Sequence, residues 1–377
     1  MPVQPAACGA QGLSQSPSCD EKSPFARPAA PPARRRVGPA LLVAASLPWL
    51  VTAAGGCTPA SGRSCRGIEP NGPQLGGTAM RREQAPGCPV LEGVQLRVAR
   101  LDQGVTLQGG EELRDVALVQ GALSSGARSA RSFIGAVLLG EAETNDGVLL
   151  RVEDVAVAAD PGARAEQEEK TPAAGESGVL LYRLSYKFRD QPQRPDGWQP
   201  LCPGGGLAVA VPGQWDLTVS PGGGGKKPAR PGDVTFACQG SAIAKCVTVL
   251  GYRPWATAGA AKGGSLDGLH QACVRAVRAD YCGNGQSNTR SDEQVNFYDS
   301  AGVQKDGAEW PLEAEWTEAG ARCVMGTRLK EAPADARTGR AATNVRDYIS
   351  RTCPQVLRPC AGAAAGEAVL ITEAAGR

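Results

Sequence analysis

A single histidine, His270, limits the nucleophilic chemistry open to this 377-residue chain. A Ser-His-Asp or Cys-His mechanism moves its proton through an imidazole, so any such scheme here runs through His270. No Gly-x-Ser-x-Gly elbow accompanies it. His270 follows Leu269 on the apolar side of a predicted helix, which reads as a hydrogen-bonded structural histidine more readily than as a general base. Carboxylates offer the other route. Asp280 falls at the C-terminal end of that helix, where the macrodipole disfavours negative charge, so it requires a compensating network to backbone groups or to an arginine. Glu313 and Glu315 lie two apart in Pro311-Leu312-Glu313-Ala314-Glu315-Trp316 and share one face of a strand. They could present paired carboxylates, as a glycosidase does. The plainer reading is a solvated face with Leu312, Ala314 and Trp316 buried behind it. Asp292, Glu293 and Asp299 could gather around calcium, but no Asp-x-Asp-x-Asp-Gly loop supports them.

The cysteines point to staples. Of thirteen, Cys8 and Cys19 precede a long apolar run and Cys57 ends it. The remaining ten are Cys65, Cys88, Cys202, Cys238, Cys246, Cys273, Cys282, Cys323, Cys353 and Cys360, an even set that reads as disulfides in an exported chain. Spacing leaves their connectivity open; proximity favours Cys353 with Cys360 and Cys65 with Cys88. No Cys-x-x-Cys occurs, and one histidine cannot supply a paired zinc motif, so no metal or cofactor is expected.

Residues 37–56, VGPALLVAASLPWLVTAAGG, carry no charge and follow Arg34-Arg35-Arg36. That order of basic, apolar and small residues describes an export signal. Its end, Ala54-Gly55-Gly56-Cys57, resembles a bacterial lipobox, with Cys57 as the lipid attachment site and Thr58 favouring the outer membrane. Two rivals stay open: a signal anchor spanning the bilayer, weakened by Pro39 and Pro48, and a conventional cleavage near Cys57. Residues 1–33 are long for the basic region of a signal, which points to a start further downstream. Lysine and arginine number 40 against 38 acidic residues, and beyond residue 56 the count is 35 against 36. That balance gives no electrostatic footprint for nucleic acid.

Four parts are expected: an export signal over 1–56, a flexible Gly/Pro/Arg-rich tether over 57–90, a β-rich domain over 91–200 and a mixed domain over 201–377. Runs from Phe133 and from Val148 flank Asn145-Asp146-Gly147 and predict a hairpin. Tyr182, Leu184, Tyr186 and Phe188 alternate with Arg183, Ser185, Lys187 and Arg189, which predicts a strand with one solvated side. Leu207, Val209 and Val211 run into a Pro212-Gly213 turn, with Trp215, Leu217 and Val219 following. Ser241 caps a short helix that Gly251 ends. Ser265 or Asp267 starts a stronger one in which Leu269, Cys273, Ala276, Val277 and Asp280 share a face and Arg275 and Arg278 meet water. Thr343 or Asn344 opens a last helix halted by Pro354, and 368–373 form a closing strand. The segment 221–232 fails the phosphate-loop pattern, with Ser220 and Lys227 at the wrong places, and reads as a flexible surface loop.

The blocks GQWDL, FACQGSAIAKCV, GYRPW, LHQACVRAVRADYC, GNGQSNTRSDEQVNFYDSAGVQ and PLEAEWTEAGARCV follow one another over roughly 200–325. Together they resemble the ADYC domain family, whose tetrapeptide is here Ala279-Asp280-Tyr281-Cys282. The resemblance implies an exported bacterial protein, often with a lipoprotein signal, and carries over no catalytic residue.

The fold class expected is α+β, antiparallel and β-rich with a few short helices, stapled by disulfides. The expected role is a non-enzymatic cell-envelope lipoprotein that binds an extracellular or periplasmic partner and meets the membrane through its N-terminal lipid. One alternative is an envelope hydrolase using Glu313 and Glu315, or His270 with Asp280. Another is a carbohydrate-binding module using Trp198, Trp215, Trp255, Trp310 and Trp316 if they are exposed together, although buried aromatics are the default.

Overall fold

The computed structural model describes residues 68–70, 74–82, 91–158, 178–191, 197–219, 224–228, 230–257, 265–291, 293–307, 310–334, 340–362 and 369–375. All of these fall in one compact unit, 62–377. The expected export signal, Cys57, Cys65, Cys88, most of the polar segment 158–178 and Asp292 lie outside the described residues. Two described stretches of the expected tether are built into the fold. The strand β1 (Ile68–Pro70) joins a sheet, and Leu75 and Met80 are buried in the two cores.

Six antiparallel strands close into a barrel: β2 (Leu96–Thr106), β3 (Val137–Ala142), β4 (Gly147–Val157), β5 (Leu180–Phe188), β6 (Leu207–Pro212) and β7 (Asp233–Cys238). The path β5-β6-β7-β2-β3-β4 returns to β5 through the register Tyr186↔Leu150. Closure removes free edges, and a barrel of this size fills its interior with side chains. Leu138, Leu150, Val152, Tyr182, Leu184, Ala210 and Phe236 supply that interior. The predicted hairpin is β3–β4, with Asn145 at φ +65° in its turn. The sheet runs without interruption across residue 200, since Leu181 on β5 pairs with Val209 on β6.

On one side the barrel wall is buried from outside as well. Leu181, Val209, Val211 and Ala237 join a second core with the helices α1 (Ala242–Thr248) and α2 (Asp267–Arg278). This is why β7 has no exposed residue. Arg183 on β5 and Arg189 just past its end are solvated as expected, but Ser185 is buried; a bulge after Arg183 shifts the register, and Ser185 bonds Glu153. Over residues 213–219, which begin at Gly213 with φ +89°, the chain forms no strand: Trp215 is buried, while Val219 is exposed.

The second core also takes in an antiparallel sheet of β1, β8 (Gln294–Asp299), β9 (Leu312–Thr317), β10 (Gly320–Val324) and, after α3 (Val345–Thr352), β11 (Leu370–Ala374). Its order is β1-β8-β11-β9-β10. Caps match the sequence: the Ser241 hydroxyl accepts the Ala244 N–H of α1, and the Asn344 side chain accepts the Asp347 N–H of α3. The architecture is therefore antiparallel, β-rich α+β.

Among the described residues four disulfides staple it: Cys202–Cys238, Cys246–Cys273, Cys282–Cys353 and Cys323–Cys360. The neighbours Cys353 and Cys360 do not pair with each other. Each instead ties the segment after α3 to a distant element, Cys353 to the end of α2 and Cys360 to β10. Long closed loops restrict the unfolded chain more than short ones do, and a bridge of this kind contributes about 2–4 kcal/mol.

Candidate functional site

The tetrapeptide Ala279-Asp280-Tyr281-Cys282 sits where α2 ends. Ala279 adopts the left-handed conformation at φ +50°, its N–H and that of Asp280 returning to the carbonyls of Ala276 and Arg275. The reversal swings the Asp280 carboxylate back onto Arg275 of the preceding turn, with which it forms a buried ion pair. It also accepts the N–H groups of Asn284 at 3.1 Å and Gly285 at 2.9 Å. Arg275 continues to the Gly224 carbonyl at 2.6 Å and the Glu318 carbonyl at 3.3 Å. The helix-end carboxylate thus has the partners its position demands.

Three backbone segments converge on this pair, and the glycines follow from that crowding. A Cβ on Gly224 would lie 1.9 Å from the Thr218 carbonyl oxygen, and one on Gly283 would lie 1.7 Å from that of Ala319. Gly224 and Gly225 are buried and Lys227 pairs with Asp267, so this part of 221–232 is packed, contrary to the expected surface loop. Arg275 and Arg278 are likewise buried instead of solvated: Arg278 donates to the Gly285 carbonyl at 2.8 Å. The helix face that carries them is covered by the Gly-rich segments, which a wheel of α2 alone does not contain.

A second network begins at Tyr281. Its hydroxyl donates to Glu313 at 2.6 Å, and its ring stacks on Trp316 with centroids 5.3 Å apart. Glu313 also receives two bonds from the Arg328 guanidinium, at 2.6 and 2.7 Å, and one from the Thr372 hydroxyl at 2.8 Å. Arg328 in turn donates to the Ala276 carbonyl of α2 at 2.8 Å. Burial pushes the Tyr281 phenol well above its usual range, and the adjacent Glu313 carboxylate adds to the effect. Glu313 is 1 % exposed and Glu315 2 % exposed, so the strand face expected to be solvated is buried instead. A bulge on β9 between Leu312 and Ala314 breaks the alternation and turns Glu313 toward α2. Glu315 is covered by the segment after α3, its carboxylate accepting the Gly362 N–H at 2.7 Å. The two carboxylates share no hydrogen-bond partner among the described residues, and neither faces a substrate-accessible cleft as a pair.

His270 is fully buried, donates from Nε2 to the Ile243 carbonyl at 3.3 Å and meets Trp215 edge-on at 5.8 Å. Burial, reinforced by the Lys227 ammonium, pushes its imidazole down to about 3, so the ring is neutral at physiological pH. No hydrogen bond joins it to Asp280 among the described residues. Asp299 is occupied by the Tyr252 hydroxyl and the N–H groups of Ala301, Val303 and Gln304; Glu293 is buried. The tryptophans do not assemble into a platform. Trp215 and Trp316 are buried, Trp198 is engaged by the cations of Arg151 and Lys187, and Trp255 lies over Gly121. Beside Tyr281 and Cys282 a shallow cleft of about 270 Å³ opens between Arg322, Gln355 and Arg358.

Arg275, Tyr281, Arg328 and Thr372 were missing from the sequence-level site. Asp280 at a helix end was the available signal for Arg275, whereas Arg328 and Thr372 reach Glu313 from elements with no motif of their own. Chemically the arrangement locks α2 to β9 and β11 through buried ion pairs and the hydrogen bonds around them. The disulfides fit an oxidising extracellular or periplasmic compartment. No helix among the described residues is long and apolar enough to cross a membrane. No curated protein and no solved structure matches the chain. The family model of the ADYC domain matches residues 130–330, more than half the chain and inclusive of the barrel strands from β3 onward, so the protein belongs to the ADYC domain family.

Proposed function

We propose that this chain is a non-catalytic lipoprotein of the bacterial cell envelope, anchored through Cys57 at the outer membrane and serving an interaction or binding role in its ADYC domain. The observation that supports this best is the commitment of Asp280, Glu313 and His270 to the fold. Asp280 is held by Arg275 and two backbone N–H groups, Glu313 by Arg328, Tyr281 and Thr372, and His270 is buried and neutral. Asp280 and Glu313 are engaged with their protein partners, and His270, whose Nδ1 has no hydrogen-bond partner, is sealed from solvent. The eight described cysteines in disulfides support export, and the near-neutral charge argues for a partner other than nucleic acid.

The test is the intact mass of the protein taken from its native envelope, alkylated with and without prior reduction. The expected result is a chain beginning at Cys57 with added lipid and no alkylation until reduction. An unprocessed N-terminus with many free thiols overturns the export reading. A Glu313→Gln or His270→Gln variant that keeps wild-type stability yet loses turnover on a wall or glycan substrate overturns the non-catalytic one.

A further inference from the structure

We infer that Glu315, Cys323 and Cys360 form a latent, redox-gated site for a thiophilic divalent cation such as Zn²⁺ or Cd²⁺. One carboxylate oxygen of Glu315 and the two sulfurs all lie within 4.8 Å of one another. The placement is rigid: Glu315 on β9 is the cross-strand partner of Cys323 on β10, so those two side chains leave the sheet at adjacent points. Cys360 comes from the segment after α3, which the Cys282–Cys353 bridge holds independently.

Glu315 itself is the unexplained feature. One of its oxygens accepts the Gly362 N–H, while Oε2 is buried and has no hydrogen-bond partner. The Arg322 Nε stands 3.8 Å from it, too far for a hydrogen bond. A buried acceptor left this way keeps its desolvation penalty without a compensating bond. Two thiolates and the carboxylate carry three negative charges, which Arg322 and a dication would balance. Cys323 and Cys360 differ from the pairs Cys202–Cys238 and Cys246–Cys273 in access: all four of those cysteines are buried, whereas Cys360 is half-buried. Cys282 is also half-buried, but among the described residues no carboxylate converges on its bridge.

The chemistry is thiol–disulfide exchange followed by metallation. A dithiol reductant delivers two electrons and two protons to the Cys323–Cys360 bond and leaves as its own disulfide. The cation then binds both sulfurs, releasing the two thiol protons to solvent, and takes the Glu315 oxygen as third ligand. A fourth position stays open on the solvent side of Cys360, the pattern of three protein ligands plus water. This inference is independent of the interaction role proposed above.

The experiment uses the full chain, reduced anaerobically with limiting dithiothreitol, desalted and titrated with Cd²⁺ while the thiolate-to-cadmium charge-transfer band is followed. Alkylation mapping of a parallel sample reports which bonds have opened, and tryptophan emission reports folding. Expected are opening of Cys323–Cys360 before the buried bridges with native emission, one Cd²⁺ per chain, displacement by Zn²⁺, and no band in the oxidised protein. Glu315→Gln keeps an acceptor for Gly362, so it should fold and open alike but bind the cation about tenfold more weakly or worse. Any of three results overturns the site: no band in the folded reduced protein, equal affinity in Glu315→Gln, or opening of Cys323–Cys360 only as the emission becomes that of unfolded chain.

Discussion

Replacing Glu313 with glutamine keeps the side chain's shape and removes its charge, leaving the Arg328 guanidinium buried without its counter-ion. Arg328 meets Glu313 through two bonds of 2.6 and 2.7 Å, and both residues are almost wholly inaccessible. Removing one partner of such a pair costs about 3–5 kcal/mol, because the survivor stays charged and desolvated. A domain holds about 5–15 kcal/mol in total, so this single change takes a large share. With a urea dependence of about 1–3 kcal/mol per molar, the unfolding midpoint should fall by at least about 1 M. Tryptophan fluorescence is a suitable probe, since Trp316 stacks on Tyr281 within the same network. The double variant Glu313→Gln/Arg328→Met removes the stranded charge and should be less destabilised than the sum of the single variants. Glu315→Gln is the control: it keeps the Gly362 bond and should cost about 1 kcal/mol or less. A Glu313→Gln midpoint within about 0.3 M of wild type, or strict additivity in the double variant, would refute the assignment of this pair as the lock between α2 and β9.

The neutral His270 makes a pH prediction. The unfolded chain protonates this residue near 6.5 and the folded one only at about 3. Between those values the unfolded state binds more protons, so stability falls as pH drops, by up to about 1.4 kcal/mol per pH unit from this group, and above 6.5 the group contributes nothing. Denaturant midpoints across that window should decline less steeply for His270→Gln than for wild type; parallel curves would show an imidazole that titrates normally. Gly283→Ala should yield little folded protein in a thermal melt, given a Cβ only 1.7 Å from the Ala319 oxygen. Gly240→Ala, at φ +85° with open space around it, should cost only about 1–2 kcal/mol, and equal losses would remove the close-approach argument. Non-reducing peptide mapping should link Cys282 to Cys353 and Cys323 to Cys360; a Cys353–Cys360 peptide would contradict the described pairing.

Where one core decides a segment, its sequence is readable. The β3–β4 hairpin and the inward residues of β5 alternate because each strand has a filled barrel on one side, and Asn145-Asp146-Gly147 supplies the turn. The capped helices α1 and α3 were legible for the same local reason: Ser241 and Asn344 satisfy N–H groups within their own first turns. Closure of the barrel was not legible, because it depends on which long-range strands pair, and β6 and β7 are buried on both faces, so alternation says nothing of their neighbours.

The misread residues have a common cause. Arg275, Arg278, Glu313 and Glu315 are charged, and a charge in a periodic pattern is normally assigned to water. In this fold each charge is answered by an element distant in the chain or by a backbone reversal: Arg275 by Asp280 after the left-handed Ala279, Glu313 by Arg328 after a bulge, and Glu315 by Gly362 in a segment held down by disulfides. The glycines carried the missing information. Gly224, Gly283 and Gly285 sit where any Cβ would strike a carbonyl oxygen, and such close backbone approach occurs only around something buried. A glycine cluster next to a helix-end aspartate is therefore a sequence sign that the arginines of that helix are covered, and in this chain it marks the tetrapeptide as the point on which three backbone segments close.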